Sequence, residues 1–519
     1  MNEKNQNPFF HCLGGCGKIG ANMFAFSNSK GKGFYLDCGI KFFDNDFLGV
    51  QYETPDFNQF NYTDLLISHG HEDHIGAMKF FLKEKTATVY CSSYTKELIL
   101  QRVENPPKFF LFEDLKSFTL RDFTITPFEV EHSIPHTFGF LIQYQDRNLD
   151  LVYCSDFKIS KDEFFWPKKI KPFIRENSKL LLMLDSTNAM KEGSSNHEDS
   201  ILPRLEEELK SQKGRFFFTF FSSNTERLAN IVKLCEKHQK SVIPYGRSIE
   251  KNIEVAKKFN YIKSGTEFYS PDEPLALDQT VVLVTGNQGE VRSSLRRIAV
   301  GEDRYFKFGP EDTVFFSSFN IPGNGLTIQN LKNKITDSDA KIVDGGERAG
   351  IHVSGHASPE SLRAIYEFLK PDTIIPIHGE TQFLKRHIEI AKEVTDSKTL
   401  FHRIDSGSTV QIKKDLSFHL THNRDYKLLL FNDDGIPQEQ AFISERKKLA
   451  KDGIVIVQRK KKEILIDSYG VSDPPIWEDD VLKIIKSGKV VRGEDQETQV
   501  KRAVFAKVGQ RPVVLIHTL

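Results

Sequence analysis

The chain has 519 residues, 39% hydrophobic and 27% charged, with Lys+Arg and Asp+Glu equal at 71 each. That length exceeds one hydrophobic core and implies two or three domains, and the composition is that of a soluble globular protein. The even charge balance excludes binding to nucleic acid through a global basic field, leaving local patches and bound cations as sources of phosphate affinity.

At the amino end, Met1-Asn2-Glu3-Lys4-Asn5-Gln6 lacks a basic stretch followed by an apolar one, so no signal peptide is expected. No apolar run approaches the ~18 residues of a membrane span, and the expected compartment is the cytoplasm. The six cysteines, at 12, 16, 38, 91, 154 and 235, form no disulfide-like framework. Cys12 and Cys16 have the spacing of half a zinc site, but no second half accompanies them, and buried thiols are expected.

The apolar run Leu65-Leu66-Ile67 leads into Ser68-His69-Gly70-His71-Glu72-Asp73-His74. Three imidazoles and a carboxylate so close together point to metal ligation, because a neutral imidazole offers a lone pair near physiological pH. Residues i and i+2 at a strand end can reach one ion, and the i+4, i+5 pair a second. Three later stretches repeat this grammar of a β-rich run followed by a donor: 123–130 before His132, 149–154 before Asp156, and 372–377 before His378. Ligands gather beyond the carboxyl ends of strands in open α/β layers, so these positions can converge. The set then holds five histidines and two aspartates.

From Gly214 the pattern changes to repeated strand, loop and helix. Strands are expected at 215–221, 241–245, 281–284 and 313–316, with helices at 224–237 and 291–299, which is an α/β unit with a parallel sheet. It is inserted before His378, so it lies beside the site and can cover it. Past about residue 420, Asn432-Asp433-Asp434-Gly435-Ile436-Pro437 is turn-rich. A small α/β module follows: a helix at 439–451, strands at 453–457 and 463–467, two helices, and a strand at 511–516. The basic run Arg459-Lys460-Lys461-Lys462 is expected to be a solvated turn, with RNA contact the minority reading.

His69-x-His71-x-Asp73-His74, His132, Asp156 and His378 together resemble the metallo-β-lactamase fold. More narrowly, the chain resembles the β-CASP nucleases of the ribonuclease J type. The likeness runs through Leu36-Asp37-Cys38-Gly39, His132-Ser133-Ile134-Pro135, Ser155-Asp156-Phe157-Lys158, Asp185-Ser186-Thr187-Asn188, Thr285-Gly286-Asn287-Gln288-Gly289-Glu290 and Ile321-Pro322-Gly323-Asn324. The most discriminating parts are His352-Val353-Ser354-Gly355-His356-Ala357-Ser358 and His378-Gly379-Glu380. Cys154-Ser155, His136 and Asn287 depart from the family's usual residues, and none of them removes a ligand. His136 stands where Asp is usual and can alter the charge beside the metals.

The resemblance implies an α/β fold: a metallo-β-lactamase αββα sandwich with an inserted parallel-sheet β-CASP domain and a small C-terminal α/β domain. Residues 1–205 would form the first part of the core, 206–350 the insert, 351–425 the second part, and 426–519 the linker and small C-terminal domain. It implies two divalent ions, His69, His71 and His132 holding one, Asp73, His74 and His378 the other, and Asp156 between them. The mixed N/O donors suit Zn2+ best, with Mn2+ or Mg2+ compatible. His356 would be the general acid, Asp185 the acidic motif that supports the site, and Asp73 a catalytic residue as well as a ligand, with His352, Ser354, Ser317 and Ser318 contacting substrate. The Gly323-Asn324 loop would add backbone N–H groups that bind anions.

The implied activity is metal-dependent hydrolysis of RNA phosphodiesters, 5′-to-3′ from single-stranded ends, with endonuclease cleavage an accompanying activity. A homodimer or homotetramer and contacts with other RNA-decay factors belong to the same expectation. Two other readings compete: a hydrolase of the same fold acting on DNA or a small ester, and a non-catalytic RNA-binding subunit. A small-ester enzyme has no need of Ser354-Gly355-His356 or of the insert, and a non-catalytic subunit has no need of seven intact ligands.

Overall fold

The computed structural model describes residues 7–43, 48–193, 195–290, 292–321, 324–345, 350–423, 426–432, 434–460, 463–488 and 494–518. Residues 1–6, Val291, Pro322, Gly323, Asp433, Lys461 and Lys462, which the sequence analysis invoked, lie outside the described residues. The chain divides into two compact units, 1–42 with 53–428, and 43–52 with 429–519.

The first unit is built on three large sheets, with a short parallel pairing of Cys16–Gly17 and Gly379–Glu380 beside them. One has eight strands, in the spatial order 418–422, 408–412, 9–14, 23–27, 33–36, 64–66, 88–91 and 108–111. The second has seven, in the order 118–120, 123–130, 137–144, 149–154, 179–185, 373–377 and 400–401. Alternation along the strands decides how the layers stack. Phe138, Phe140, Ile142, Leu181 and Met183 point into a core shared with Phe10, Phe24, Phe26 and Phe34 of the first sheet. Their neighbours Leu141, Leu180, Leu182 and Leu184 point the other way, against Leu362, Ile365 and Ile390 of the helices Pro359–Leu369 and Thr381–Val394. A strand buried on both faces must be apolar throughout, which is why 149–154 and 179–185 read as unbroken hydrophobic runs. The first sheet carries helices too: Tyr35 and Phe57 meet Phe81 of the helix Met78–Glu84.

The third sheet is the insert. Its strands run in the order 241–245, 280–284, 216–219, 313–316 and 341–343, every pair parallel. The expected strands are present, and Lys341–Val343 is added to them. Helices Thr225–Lys237, Arg247–Lys258, Ser294–Ala299 and Gly325–Thr336 connect them, the first capped by Asn224, whose side chain accepts from the Arg227 N–H.

The second unit carries the strands Ile454–Lys460, Glu463–Tyr469 and Val513–Thr518 and the helices Gln440–Asp452, Pro474–Ser487 and Gln496–Val508. Trp477, Val481, Val500 and Val504 pack on Val455, Val457 and Val514. Leu48 and Val50, which the sequence analysis grouped with the amino-terminal core, form a small cluster with Leu430 and Ile443 in this unit. All six cysteines are buried free thiols. Among the described residues, no helix is long and apolar enough to cross a membrane.

Candidate metal centre

Three parallel strands, Leu149–Cys154, Lys179–Asp185 and Thr373–Ile377, lie side by side and end at the same edge. They deliver Asp156, Asp185 and His378 together. Strand Phe123–Val130, which shares their direction through two antiparallel pairings, delivers His132 to that edge. The opposite sheet contributes the exit of Asp64–Leu66, where His69 and His71 precede the single-turn helix Glu72–Ile75 that holds Asp73 and His74.

That short helix sits where it does because a loop runs hard against it. Asn22 donates its N–H to the Asp73 carbonyl at 3.0 Å, Cys38 to that of His74 at 2.7 Å, and Ile40 to that of Glu72 at 3.1 Å. Gly39 lies so close that a β-carbon there would come 1.6 Å from the Asp73 carbonyl oxygen. Gly39→Ala must therefore push Asp73 and His74 away, and displacements of ~1 Å at a reacting centre cost about 10²-fold. We expect Gly39→Ala to lose bound metal and cleavage together. Full metal content with unchanged turnover would contradict so tight an approach.

Two donor clusters face one carboxylate. His69 Nε2 lies 3.1 Å from His71 Nδ1, which lies 3.2 Å from His132 Nε2. Ligand nitrogens bound tetrahedrally at zinc's ~2.0–2.1 Å stand ~3.3 Å apart, so this spacing fits one cation. On the other side His378 Nε2 is 3.2 Å, and His74 Nε2 3.5 Å, from Asp73 Oδ2. Asp156 lies between the clusters, Oδ2 3.8 Å from His69 Nε2 and 3.6 Å from His132 Nε2, Oδ1 3.1 Å from His74 Nε2. Its Oδ1 is buried without a well-aligned hydrogen bond. A buried, unsatisfied carboxylate oxygen is costly unless a cation completes it. The residues present therefore fit a divalent metal centre.

The protonation pattern carries the same demand. Burial pushes His71 down to about 4 and His132 to about 3, and holds His69 well below the usual imidazole range, so these rings are neutral ligands. Burial would lower His378 and His74 as well, but Asp156 and the carboxylates around it outweigh it. His378 is raised to about 10, and His74 also lies well above its ordinary value. Without a cation, the carboxylates draw that positive charge from protons.

Side chains behind the donors set their orientation. Asp37 Oδ2 is 2.8 Å from His74 Nδ1, and the Ser68 hydroxyl and N–H both donate to its Oδ1. The Gly355 carbonyl is 2.7 Å from His132 Nδ1, and Thr187 Oγ1 is 2.9 Å from His378 Nδ1. Such contacts fix the tautomer of a ligating ring. Asp37, Asn22, Thr187 and Arg227 were given no role by sequence. Leu36-Asp37-Cys38-Gly39 was the available signal for the first, a lone acidic residue at a strand end.

His356 borders the donors, near enough to Asp156 and His378 for the three to form a further group able to reach one cation. Its Nδ1 is 2.7 Å from Asp185 Oδ2 and 3.9 Å from Asp156 Oδ2, and its side chain keeps 16% exposure where those of His69 and His74 have none. Burial on its own would raise the Asp185 carboxyl, but His356 and His378 outweigh it and hold it at about 2. The other expected substrate contacts are more deeply set. Ser317 donates its hydroxyl to the Ile351 carbonyl at 2.7 Å, Ser354 Oγ accepts from Asn188 Nδ2 at 2.8 Å, and His352 and Ser318 are buried.

Two clusters of imidazole and carboxylate around a shared aspartate, at the strand ends of an αββα sandwich, define a metal-dependent hydrolase of the metallo-β-lactamase fold. Residues 34–185 match the β-lactamase superfamily domain, 213–335 the β-CASP domain of ribonuclease J, and 347–399 the zinc-dependent metallo-hydrolase RNA specificity domain. The chain is 28% identical over 476 residues to a ribonuclease J of Mycoplasma genitalium, covering 88% of this chain and 83% of that one. It is 30% identical over 468 residues to the ribonuclease J of a Synechocystis species, covering 86% and 71%. A crystal structure of an Enterococcus faecalis protein of unknown function shares the fold, with a TM-score of 0.53 at 14% identity over 78% of this chain and all of that one. The chain belongs to the ribonuclease J family.

Proposed function

We propose that this metal-dependent ribonuclease degrades single-stranded RNA 5′-to-3′ from 5′-monophosphate ends, with internal cleavage as a secondary activity. The observation that carries the chemistry is the Asp156 carboxylate between two donor clusters, with the His356–Asp185 pair beside it. In this reading two divalent ions, zinc by preference, are held by His69, His71 and His132 on one side and by Asp73, His74 and His378 on the other, Asp156 serving both. When bound, such a pair supplies a nucleophile at neutral pH and neutralises charge on the phosphate oxygens of an in-line displacement.

The rest is done by the chain itself. Asp185 is ionised and accepts the Nδ1–H of His356, so the transferable proton is the one on Nε2. Delivered to the departing ribose 3′-oxygen, it completes bond cleavage without leaving an alkoxide. Asn188 ties this loop down, donating to the His356 carbonyl at 3.0 Å as well as to Ser354. The 5′-phosphate site belongs to the strand ends around Ser317, Ser318 and Asn324, where Gln288 Oε1 accepts from the Ile321 N–H and from Asn324 Nδ2. We place the active form in the cytoplasm as a homodimer or homotetramer that works with other RNA-decay factors.

The test is a time course on one single-stranded RNA bearing a 5′-monophosphate, 5′-hydroxyl or 5′-triphosphate, with a DNA of the same sequence alongside. We expect the monophosphate RNA to disappear fastest, releasing mononucleotides from its 5′ end. Equal rates on all three RNAs with only internal products would overturn the exonuclease reading, and faster loss of the DNA would overturn the choice of substrate.

A further inference from the structure

Arg227 is fully buried in the first turn of the helix Thr225–Lys237, 0% exposed. A guanidinium has five N–H donors, and here each has an acceptor. Nε and Nη2 make a fork on Glu198 at 2.5 and 3.1 Å, Nη1 donates to the Ser317 carbonyl at 2.5 Å and to His352 Nδ1 at 2.8 Å, and Nη2 also reaches the Val353 carbonyl at 3.2 Å. One side chain thereby ties the approach to the insert, the end of strand Thr313–Phe316 and the loop that carries His352, Ser354 and His356.

The contact with His352 has a chemical consequence. A guanidinium only donates, so His352 Nδ1 must present its lone pair, and the ring's single proton sits on Nε2. Protonating Nδ1 would set two donors face to face beside a fixed positive charge. The ring is 4% exposed and packs against Phe319 at 5.1 Å between centroids, and its Nε2 has no hydrogen-bond acceptor among the described residues. An interior N–H left in this way is a donor in want of an oxygen.

We infer that Arg227 is a positioning residue that locks His352 into its neutral Nε2–H form, so that this N–H donates to a phosphate oxygen of bound RNA. The inference rests on the ribonuclease reading for its ligand and on hydrogen-bond geometry for the tautomer. A neutral donor held by a buried cation keeps its form over the working pH range, unlike a free imidazole that would charge as the medium turns acidic.

The experiment begins with the 15N side-chain spectrum of the whole metal-loaded protein, His352 being assigned by its disappearance in His352→Phe. We expect a bare Nδ1 and a protonated Nε2. An imidazolium, or a proton on Nδ1, overturns the inference whatever the variants do. Kinetics on RNA then test the donor. His352→Phe should raise KM on the order of tenfold or more, as loss of a hydrogen bond to a charged group does. His352→Gln, whose amide can donate from a similar place, should recover much of that loss. Arg227→Lys, which cannot supply the fork, should mix the two tautomers and raise KM. An unchanged KM in His352→Phe overturns the donor role. If the penalty appears only with 5′-monophosphate RNA the oxygen belongs to the terminal phosphate, and if it persists with 5′-hydroxyl RNA it belongs to an internal one. The spectrum needs no turnover, so failure of the ribonuclease reading, seen as no cleavage by the unmodified protein, stays separate from failure of this assignment, seen as the wrong tautomer.

Discussion

Asp156→Ala is expected to abolish RNA cleavage and empty both halves of the metal centre, the largest effect of any single substitution here. The reason is geometric: one oxygen of this carboxylate faces His69 and His132 and the other faces His74 and His378. Removing it takes away the carboxylate that faces both clusters and leaves Asp73 as the one carboxylate among the remaining donors, beside five imidazoles. Metal ions contribute several kcal/mol to phosphoryl transition states, so the rate should fall by at least ~10³-fold. Elemental analysis and a cleavage assay on the same preparation check this. His378→Ala should lose metal and activity in the same way. Normal metal content in Asp156→Ala would show that the carboxylate merely packs between the clusters.

His356→Ala should separate chemistry from metal binding. Its Nδ1 is committed to Asp185, so the ring is available as a proton donor at Nε2 while the donor clusters remain intact without it. General acid catalysis is typically worth 10²–10⁴-fold, and turnover should fall by about that much with bound metal near the unmodified level. Asp185→Asn should show a smaller loss of the same kind, because it removes the charge that orients the His356 ring. If His356→Ala sheds metal as readily as His378→Ala, the division between ligand and acid is wrong. If it keeps full activity, proton delivery does not limit the reaction.

Much of this centre was legible because its donors sit at the ends of strands with an unambiguous apolar pattern. His69, His71, Asp73 and His74 are neighbours in sequence, and Asp156 and His378 each follow a fully buried run. The supporting groups were not legible. Asp37 and Thr187 stand in stretches that carry the family likeness, but their partners, like those of Arg227, lie tens to hundreds of positions away, and nothing local says which donor each one orients. His378 itself has a left-handed backbone, φ 52°, a strain no pattern of residue types announces. Ser317 was expected to contact substrate, and nothing local announced that its hydroxyl would turn to the Ile351 carbonyl. The insert was recognised from its strand–helix rhythm, but Lys341–Val343 is too short to carry one.

The parallel pairing of Lys179–Asp185 with Thr373–Ile377 joins segments separated in sequence by the whole insert. A ribosome releases the chain from its amino end, so six of the seven donors emerge early and have no seventh to close with. His356, the proposed proton donor, is missing over the same interval, since it lies beyond the insert. Closing so long a loop is entropically the slowest kind of contact to make. A ribonuclease is thus assembled in an order that withholds its cutting edge from nearby RNA for as long as the insert is still being made.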